Sequence, residues 1–413
     1  MSFPCMNRLT RHYHNTVVFS LLAVLLAGCD SAPPESTEQV LSWPQIEQRA
    51  HGQTVHMVMW RGNAAINRYM ENFVAPDLKQ RHDIDLKIAG GQGSDLVALL
   101  MAELETGVSP GQFDLVWING ETFYQLRKIK ALYGPFTDSL PNAAYVDFAN
   151  PFIGIDFQQT LDGYEMPWGS VQMILIYDTA RIAQPPRTPA QLADWIKNHP
   201  GRFTLDTGFT GMTMLKNLLY AFSDNPDELH GAFDENVYQR LSGRLWQYLH
   251  ELKPYLWRQG QNFPVGTAEL HQLFINGEID FTLSMNDSEV DNKILQGVFP
   301  KTARAYALDT GTIRNSHYLG IPRNSAHPEA AKVVIDFLVS PAAQLEKMQP
   351  AVWGDGTVLA SERLPPPWLN RFLASSERLH APSRQALEKM ALMEPAPDYM
   401  LRLFEDFRRE MLD

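Results

Sequence analysis

Apolar and polar positions alternate from Val55 to Trp60 and again at Ile84, Leu86 and Ile88, with a helical stretch between, so the folded body opens as a βαβ unit. Gly90-Gly91-Gln92-Gly93 then leads to Ser94, the expected N-cap of a helix that carries Leu96, Leu99, Leu100 and Leu104 on one face. Phe113 to Ile118 reads as the next strand and ends in Asn119-Gly120. A second region starts near Glu165, where Met166-Pro167-Trp168-Gly169 introduces the apolar run Met173 to Tyr177. Thr188-Pro189 begins a helix that Pro200-Gly201 closes. Phe203 to Leu205 reads as a short strand, and Thr207-Gly208-Phe209-Thr210-Gly211 turns into a helix with Leu215, Leu218, Leu219 and Phe222 on one face. Ile279 to Leu283 and Ala305 to Leu308 read as further strands, and from Pro328 onward the pattern is mostly helical. Met400, Leu403, Phe404, Phe407 and Met411 give the last helix an apolar stripe. Two α/β units with a helical tail predict two lobes and a cleft, with ligand contacts at strand ends and helix starts.

The first thirty residues have a different character. Arg8 and Arg11 precede the short apolar run Val17 to Leu26, which leads into Leu26-Ala27-Gly28-Cys29. Basic, apolar, small, then cysteine is similar to a bacterial lipoprotein signal, in which the cysteine is acylated and becomes the first mature residue. Roughly 20 apolar residues are needed to span a bilayer, and this run is about half that. The resemblance makes Cys29 a lipid anchor, places the chain in the periplasm of a Gram-negative bacterium and, through Asp30, favours its inner membrane. Residues 30–42, rich in Ser, Thr and Pro, read as a tether. The expected divisions are a signal over 1–28, anchor and tether over 29–50, one lobe over 51–165, a second over 166–305, and a return crossover with C-terminal helices over 306–413, packing mainly on the first lobe.

Charge narrows the function. Loss of Arg8 and Arg11 with the signal moves the net charge from -12 to -14, and so acidic a chain lacks the basic surface that sequence-independent nucleic-acid binding requires. Cys5 lies in the signal, so no disulfide forms within the mature chain. With 45% hydrophobic residues, the chain can build more than one core.

Four segments carry a resemblance to a known family. They are Phe113-Asp114-Leu115-Val116-Trp117; Met166-Pro167-Trp168 through Leu175-Ile176-Tyr177-Asp178; Leu273-Phe274 with Gly277-Glu278-Ile279-Asp280; and His317 to Pro322 through Ala330-Ala331-Lys332, Asp336-Phe337-Leu338 and Ser340-Pro341. In order and spacing the chain resembles the extracellular solute-binding proteins of bacterial ABC importers, the group that includes maltose, iron, polyamine and thiamine binders. Trp60-Arg61-Gly62-Asn63 and Trp117-Ile118-Asn119-Gly120-Glu121 make it look most like the Ynj-type branch. The resemblance implies an α/β, two-lobe type II periplasmic binding fold with crossover hinge strands. It also implies a monomer that hands a small solute to an inner-membrane permease driven by a cytoplasmic ATPase, with no cofactor, no metal and no chemistry of its own.

A hinged cleft holds solute by a few polar groups over an apolar or aromatic lining. Candidates at predicted strand ends are Trp60, Arg61, Asn63, Trp117, Asn119 and Glu121 from the first lobe and Trp168 from the crossover. The second lobe offers Asp206, Thr207, Thr210, Gly211, Asn286 and Asp287. The tryptophans with Glu121, Asp206 and Asp287 suit an organic cation such as thiamine or a polyamine. The glycine turns at Gly91–Ser94 and Gly208–Thr213, with Arg61, suit an anion instead, and a metal or a sugar stays open in the same transport role.

A secreted hydrolase is the alternative from another class. The chain has no His-Glu-x-x-His helix, no Gly-x-Ser-x-Gly turn and no Walker loop. Asp287, Glu289 and Asp291 start like a calcium loop, but Asn292 stands where glycine belongs and Val298 where glutamate belongs.

Overall fold

The computed structural model describes residues 41–375 and 378–412, so the signal, Cys29 and the tether up to residue 40 lie outside the described residues. Strands β1 (Thr54–Met59) and β2 (Asp85–Gly90) pair in parallel from Thr54 opposite Asp85 to Met59 opposite Gly90. Strand β3 (Leu115–Ile118) pairs in parallel with β1 on its other side. Parallel neighbours need crossovers, and helical segments from Ala64 to His82 and from Gly93 to Glu105 provide them. The second helix begins at Gly93 with Gln92 as N-cap, not at Ser94, and no side chain caps it.

Two strands then run antiparallel through the middle of the molecule. Strand β4 (Glu165–Gln172) pairs with a later strand from Glu165 opposite Gly320 to Gln172 opposite Arg314, with an irregularity between His317 and Tyr318. Strand β4 passes through Met173 into β5 (Ile174–Asp178), the centre of a second, three-stranded sheet. There β5 pairs antiparallel with β6 (Phe281–Ser284) on one edge and with β7 (Ala303–Tyr306) on the other. The later strand, β8 (Thr312–Pro322), starts beside the second core at Ile313 and ends in the first sheet, where Tyr318, Leu319 and Gly320 face Ile118, Trp117 and Val116 of β3. Strands β4 and β8 are therefore the crossover pair between two α/β lobes.

Each lobe has its own core. Val55, Met57, Leu115, Met166, Leu319 and Val334 belong to the first, with Leu100, Val116 and Leu126 in a satellite cluster. Ile174, Leu215, Leu245, Phe281 and Val290 belong to the second. The tail divides between them: Val333 to Phe372 pack in the first core, whereas Leu387, Tyr399, Met400, Leu403 and Phe407 pack in the second. The assignment of the whole tail mainly to the first lobe thus misses its last helix, Pro397–Phe407, whose apolar stripe seats against the second. An amphipathic stripe announces burial and carries no address. Phe203 to Leu205, expected as a strand, is buried without a ladder partner: the Phe203 carbonyl accepts from Trp257 N–H and the Arg202 carbonyl from Asp280 N–H.

At the irregularity of the crossover pair, Gly169 faces His317. A Cβ there would stand 1.9 Å from His317 Nε2 and 2.3 Å from Asp355 Oδ2, both on buried side chains. Gly169→Ala is expected to cost about 1–3 kcal/mol through overpacking, read as a lower melting temperature by calorimetry. An unchanged melting temperature would show that the crossover has slack the packing does not reveal.

Candidate functional site

The strand-to-helix turns of both lobes meet at a cavity of about 540 Å³. Asn63 caps its helix by accepting from Ala65 N–H at 2.8 Å, and Gln92, Asn119, Gly208 and Gly266 occupy the N-cap positions of four more helices. All five line the cavity, so the positive ends of several backbone dipoles face it. The crossover strands contribute Val171, Asn315, Ser316 and His317.

One wall is aromatic. Trp117 meets Trp168 edge-on at 5.1 Å and lies 4.8 Å from the His317 ring, and His317 stacks on Trp353 at 5.6 Å and 14°. Trp117, His317 and Trp353 line the cavity, while Trp168 is fully buried behind them. Trp168 is therefore the support of this wall and not a cavity residue, which corrects the expectation for it.

Three carboxylates belong to the lining. Asp355 lies 3.1 Å from His317 Nε2 and 2.6 Å from Lys347 Nζ. Burial pushes the Asp355 carboxyl up, but the charges of His317 and Lys347 outweigh it and hold the group below the usual range. Burial likewise pushes Glu289 up, and His271 at 3.5 Å with Lys293 at 3.3 Å brings it below the usual range. Asn63 Nδ2 from the first lobe also donates to Glu289 at 3.3 Å. Asp206 differs: burial raises it to about 6, although its Oδ1 accepts from Gly208 N–H at 2.8 Å. Asp206 Oδ2 has no hydrogen-bond partner.

Seven of the residues read from the sequence come together in this lining: Trp60, Asn63, Trp117, Asn119, Asp206, Thr210 and Asn286. Besides Trp168, five others do not. Arg61 turns away to Glu71 and to the Ile88 carbonyl at 3.4 Å. The Glu121 carboxylate is buried outside the cavity and pushed up by desolvation. The Thr207 hydroxyl donates to the Pro264 carbonyl at 3.4 Å. Gly211 backs onto the loop, where a Cβ would stand 1.7 Å from the Asp206 carbonyl oxygen, so glycine shapes the turn that presents Asp206. Asp287 is held by Arg378 at 2.8 Å and Arg384 at 3.2 Å.

His271, Glu289, Asn315, His317, Trp353 and Asp355 line the cavity without having been read as site residues. The signal for the last two was Trp353-Gly354-Asp355-Gly356, an aromatic and an acid on a glycine turn inside a tail otherwise read as helical. Among the described residues, no group of three or more His, Cys, Asp or Glu side chains is placed to hold a metal ion. No described helix is long and apolar enough to cross a membrane.

Two α/β lobes joined by crossover strands over a polar and aromatic cavity define a protein built to enclose a small molecule. The comparisons agree. Residues 74–371 match the profile of the bacterial extracellular solute-binding protein family, and the chain belongs to that family. It is 38% identical to Protein YnjB of Escherichia coli (strain K12) over 327 residues, which is 78% of this chain and 84% of that protein. The fold matches the periplasmic binding protein AfuA of Actinobacillus pleuropneumoniae, with exogenous fructose-6-phosphate bound, at a TM-score of 0.62 and 13% identity, covering 87% of this chain and 98% of that one. It matches a putative spermidine/putrescine ABC transporter protein of Listeria monocytogenes at 0.60 and 15% identity, covering 86% and 98%. Iron-bound HitA of Pseudomonas aeruginosa matches at 0.53 and 15% identity, covering 86% and 98%. Proteins of this family bind small solutes and deliver them to the permease of an ABC transporter.

The two layers of the aromatic wall separate by mutation. Trp168→Ala empties a fully buried site and is expected to cost about 3–5 kcal/mol of stability, whereas Trp117→Ala, at a partly exposed position, costs less. Equal melting temperatures for the two variants by calorimetry would contradict this layering.

Proposed function

We propose that this chain is the solute receptor of an ABC importer and that it captures a small organic cation, of the polyamine or thiamine kind. The observation that carries the reading is Asp206, a buried carboxylate in a tryptophan-walled lining with one oxygen unpartnered. Asp206, Glu289 and Asp355 contribute three carboxylates to a lining whose lysine, Lys293, is already paired with Glu289. Ring faces and carboxylates together are what an alkylammonium or a thiazolium-like cation requires. The helix N-termini around the cavity favour an oxyanion, but at Gly208 the Asp206 carboxylate of the protein already accepts the backbone N–H. We assign no catalytic step to the chain. It acts, in this reading, as a monomer held by lipid on Cys29 at the periplasmic face of the inner membrane.

Thermal-shift and calorimetric titration against putrescine, spermidine, thiamine and its phosphates, sugars, metal ions and oxyanions tests the class of solute. Saturable stabilisation by a cation is expected, growing with ligand over dissociation constant. Stabilisation by an oxyanion alone would overturn the cation reading and leave the receptor role in place. Because Asp206 titrates at about 6 and a cation favours its ionised form, affinity should hold above pH 7 and fall as pH drops through 6. Asp206→Asn should weaken binding at least about tenfold, or about 1.4 kcal/mol, and flatten that pH profile. The anchor is tested separately. Cys29→Ser should abolish fatty-acid labelling, and persistent labelling would place the lipid elsewhere.

A further inference from the structure

Apart from the cavity, the lobes share a buried polar compartment that solute capture does not explain. Glu121 comes from the first-lobe helix Gly120–Lys128, Asp156 from the short segment Ile155–Asp156, and Glu165 from the start of β4. Lys216 comes from the second-lobe helix Phe209–Phe222, and Glu394 from the tail where it packs with the second core. Lys216 Nζ donates to Glu394 Oε2 and lies 4.4 Å from the Phe157 ring. Asn315 Nδ2 donates to Glu394 Oε1 at 2.7 Å. Glu121 Oε2 and both carboxylate oxygens of Asp156 and of Glu165 have no hydrogen-bond partner. Nearby, Tyr124 Oη donates to Asp398 Oδ2 at 3.2 Å, tying the first-lobe helix to the second-lobe helix Pro397–Phe407.

Electrostatics limits what this compartment can hold. Asp156 feels the charges of Glu121 and Glu394, which raise it, and of Lys216, which lowers it; Glu165 feels Asp156, which raises it, and Arg127, which lowers it. The Tyr318 hydroxyl is engaged with the carbonyls of Ile153 and Ile155, and Arg127 is paired with Asp162. Four carboxylates beside one ammonium cannot all be ionised without water. The low-energy arrangement is the Lys216–Glu394 ion pair with protons on the carboxyls that lack a cation. Burial, reinforced by neighbouring carboxylates, drives Asp156 and Glu165 well above the usual range.

We propose that this cluster is a proton-held clasp between the lobes: Asp156 and Glu165 keep their protons while helix Gly120–Lys128 is packed against the second-lobe tail, and separation at that contact admits water and releases them. The packed form binds more protons than the separated form, so falling pH favours it and rising pH loosens it. This inference goes beyond the transport reading and holds whatever the solute is.

Hydrogen exchange of the full chain without solute, at pH 5.5, 7.0 and 8.5 and corrected for intrinsic rates, tests the clasp. Protection of peptides covering 120–128 and 397–407 is expected to fall about fivefold or more across the range, while β5 in the second core stays level. Asp156→Asn combined with Glu165→Gln, which imitates the protonated pair, should keep that protection level. Should the double variant not fold, each single change should still flatten the profile. A level wild-type profile, an equal slope in the variants, or the same pH response in β5 would each overturn the proposal. None of these outcomes bears on solute affinity, so the clasp and the receptor reading fail separately.

Discussion

Backbone pairing between β4 and β8 is the constraint on which the rest of this molecule depends. The two strands belong to the first lobe at Glu165 and Gly320 and lead to the second at Gln172 and Arg314. Their register fixes which side chains of the crossover reach the cavity, because a one-residue slip would exchange the two faces of the pair. It sets His317 opposite Gly169, and the missing Cβ leaves room for the imidazole against Asp355. His317 in turn stacks on Trp353 and packs beside Trp117 and Trp168. The aromatic wall is thus an outgrowth of the crossover and not of either lobe alone.

Buried charge is handled in three ways. Asp355 gives one oxygen to Lys347 with His317 beside it while its other oxygen lacks a partner, and Asp287 is held by two arginines. Glu289 is surrounded by donors from both lobes, Asn63 from the first and His271, Asn286 and Lys293 from the second. Asp206 keeps a free oxygen, and the acids around Lys216 share too few partners. Unpaired buried polar groups cost stability, and the proposed solute contact and the proposed clasp rest on the last two cases: one in the lining, the other at the junction of the lobes.

Much of the fold was legible because it rests on local periodicity. The alternation at Ile84, Leu86 and Ile88, the apolar run at Met173–Tyr177 and the stripe from Leu215 to Phe222 each correspond to an observed element within a few residues. Phe203 to Leu205 shows the limit, since its alternation reflects burial and no neighbouring strand pairs with it. In the site, residues directly after a strand, as at Trp60 and Asn119, or in the turn leading into a helix, as at Asp206, were legible, because α/β connectivity brings those turns to one edge of each sheet.

What the sequence determined by itself was the class of architecture, two α/β lobes and a tail, together with the turns that approach a cleft. Which side chains face the cavity was decided only by tertiary structure. Arg61 and Asn63 stand two residues apart, yet one pairs with Glu71 and the other reaches Glu289 across the cleft. Trp117 and Trp168 touch, yet only the first lines the cavity. Side-chain direction at the end of a strand depends on contacts from segments hundreds of residues away, such as the Trp353–Asp355 turn. Such contacts leave no period in the sequence.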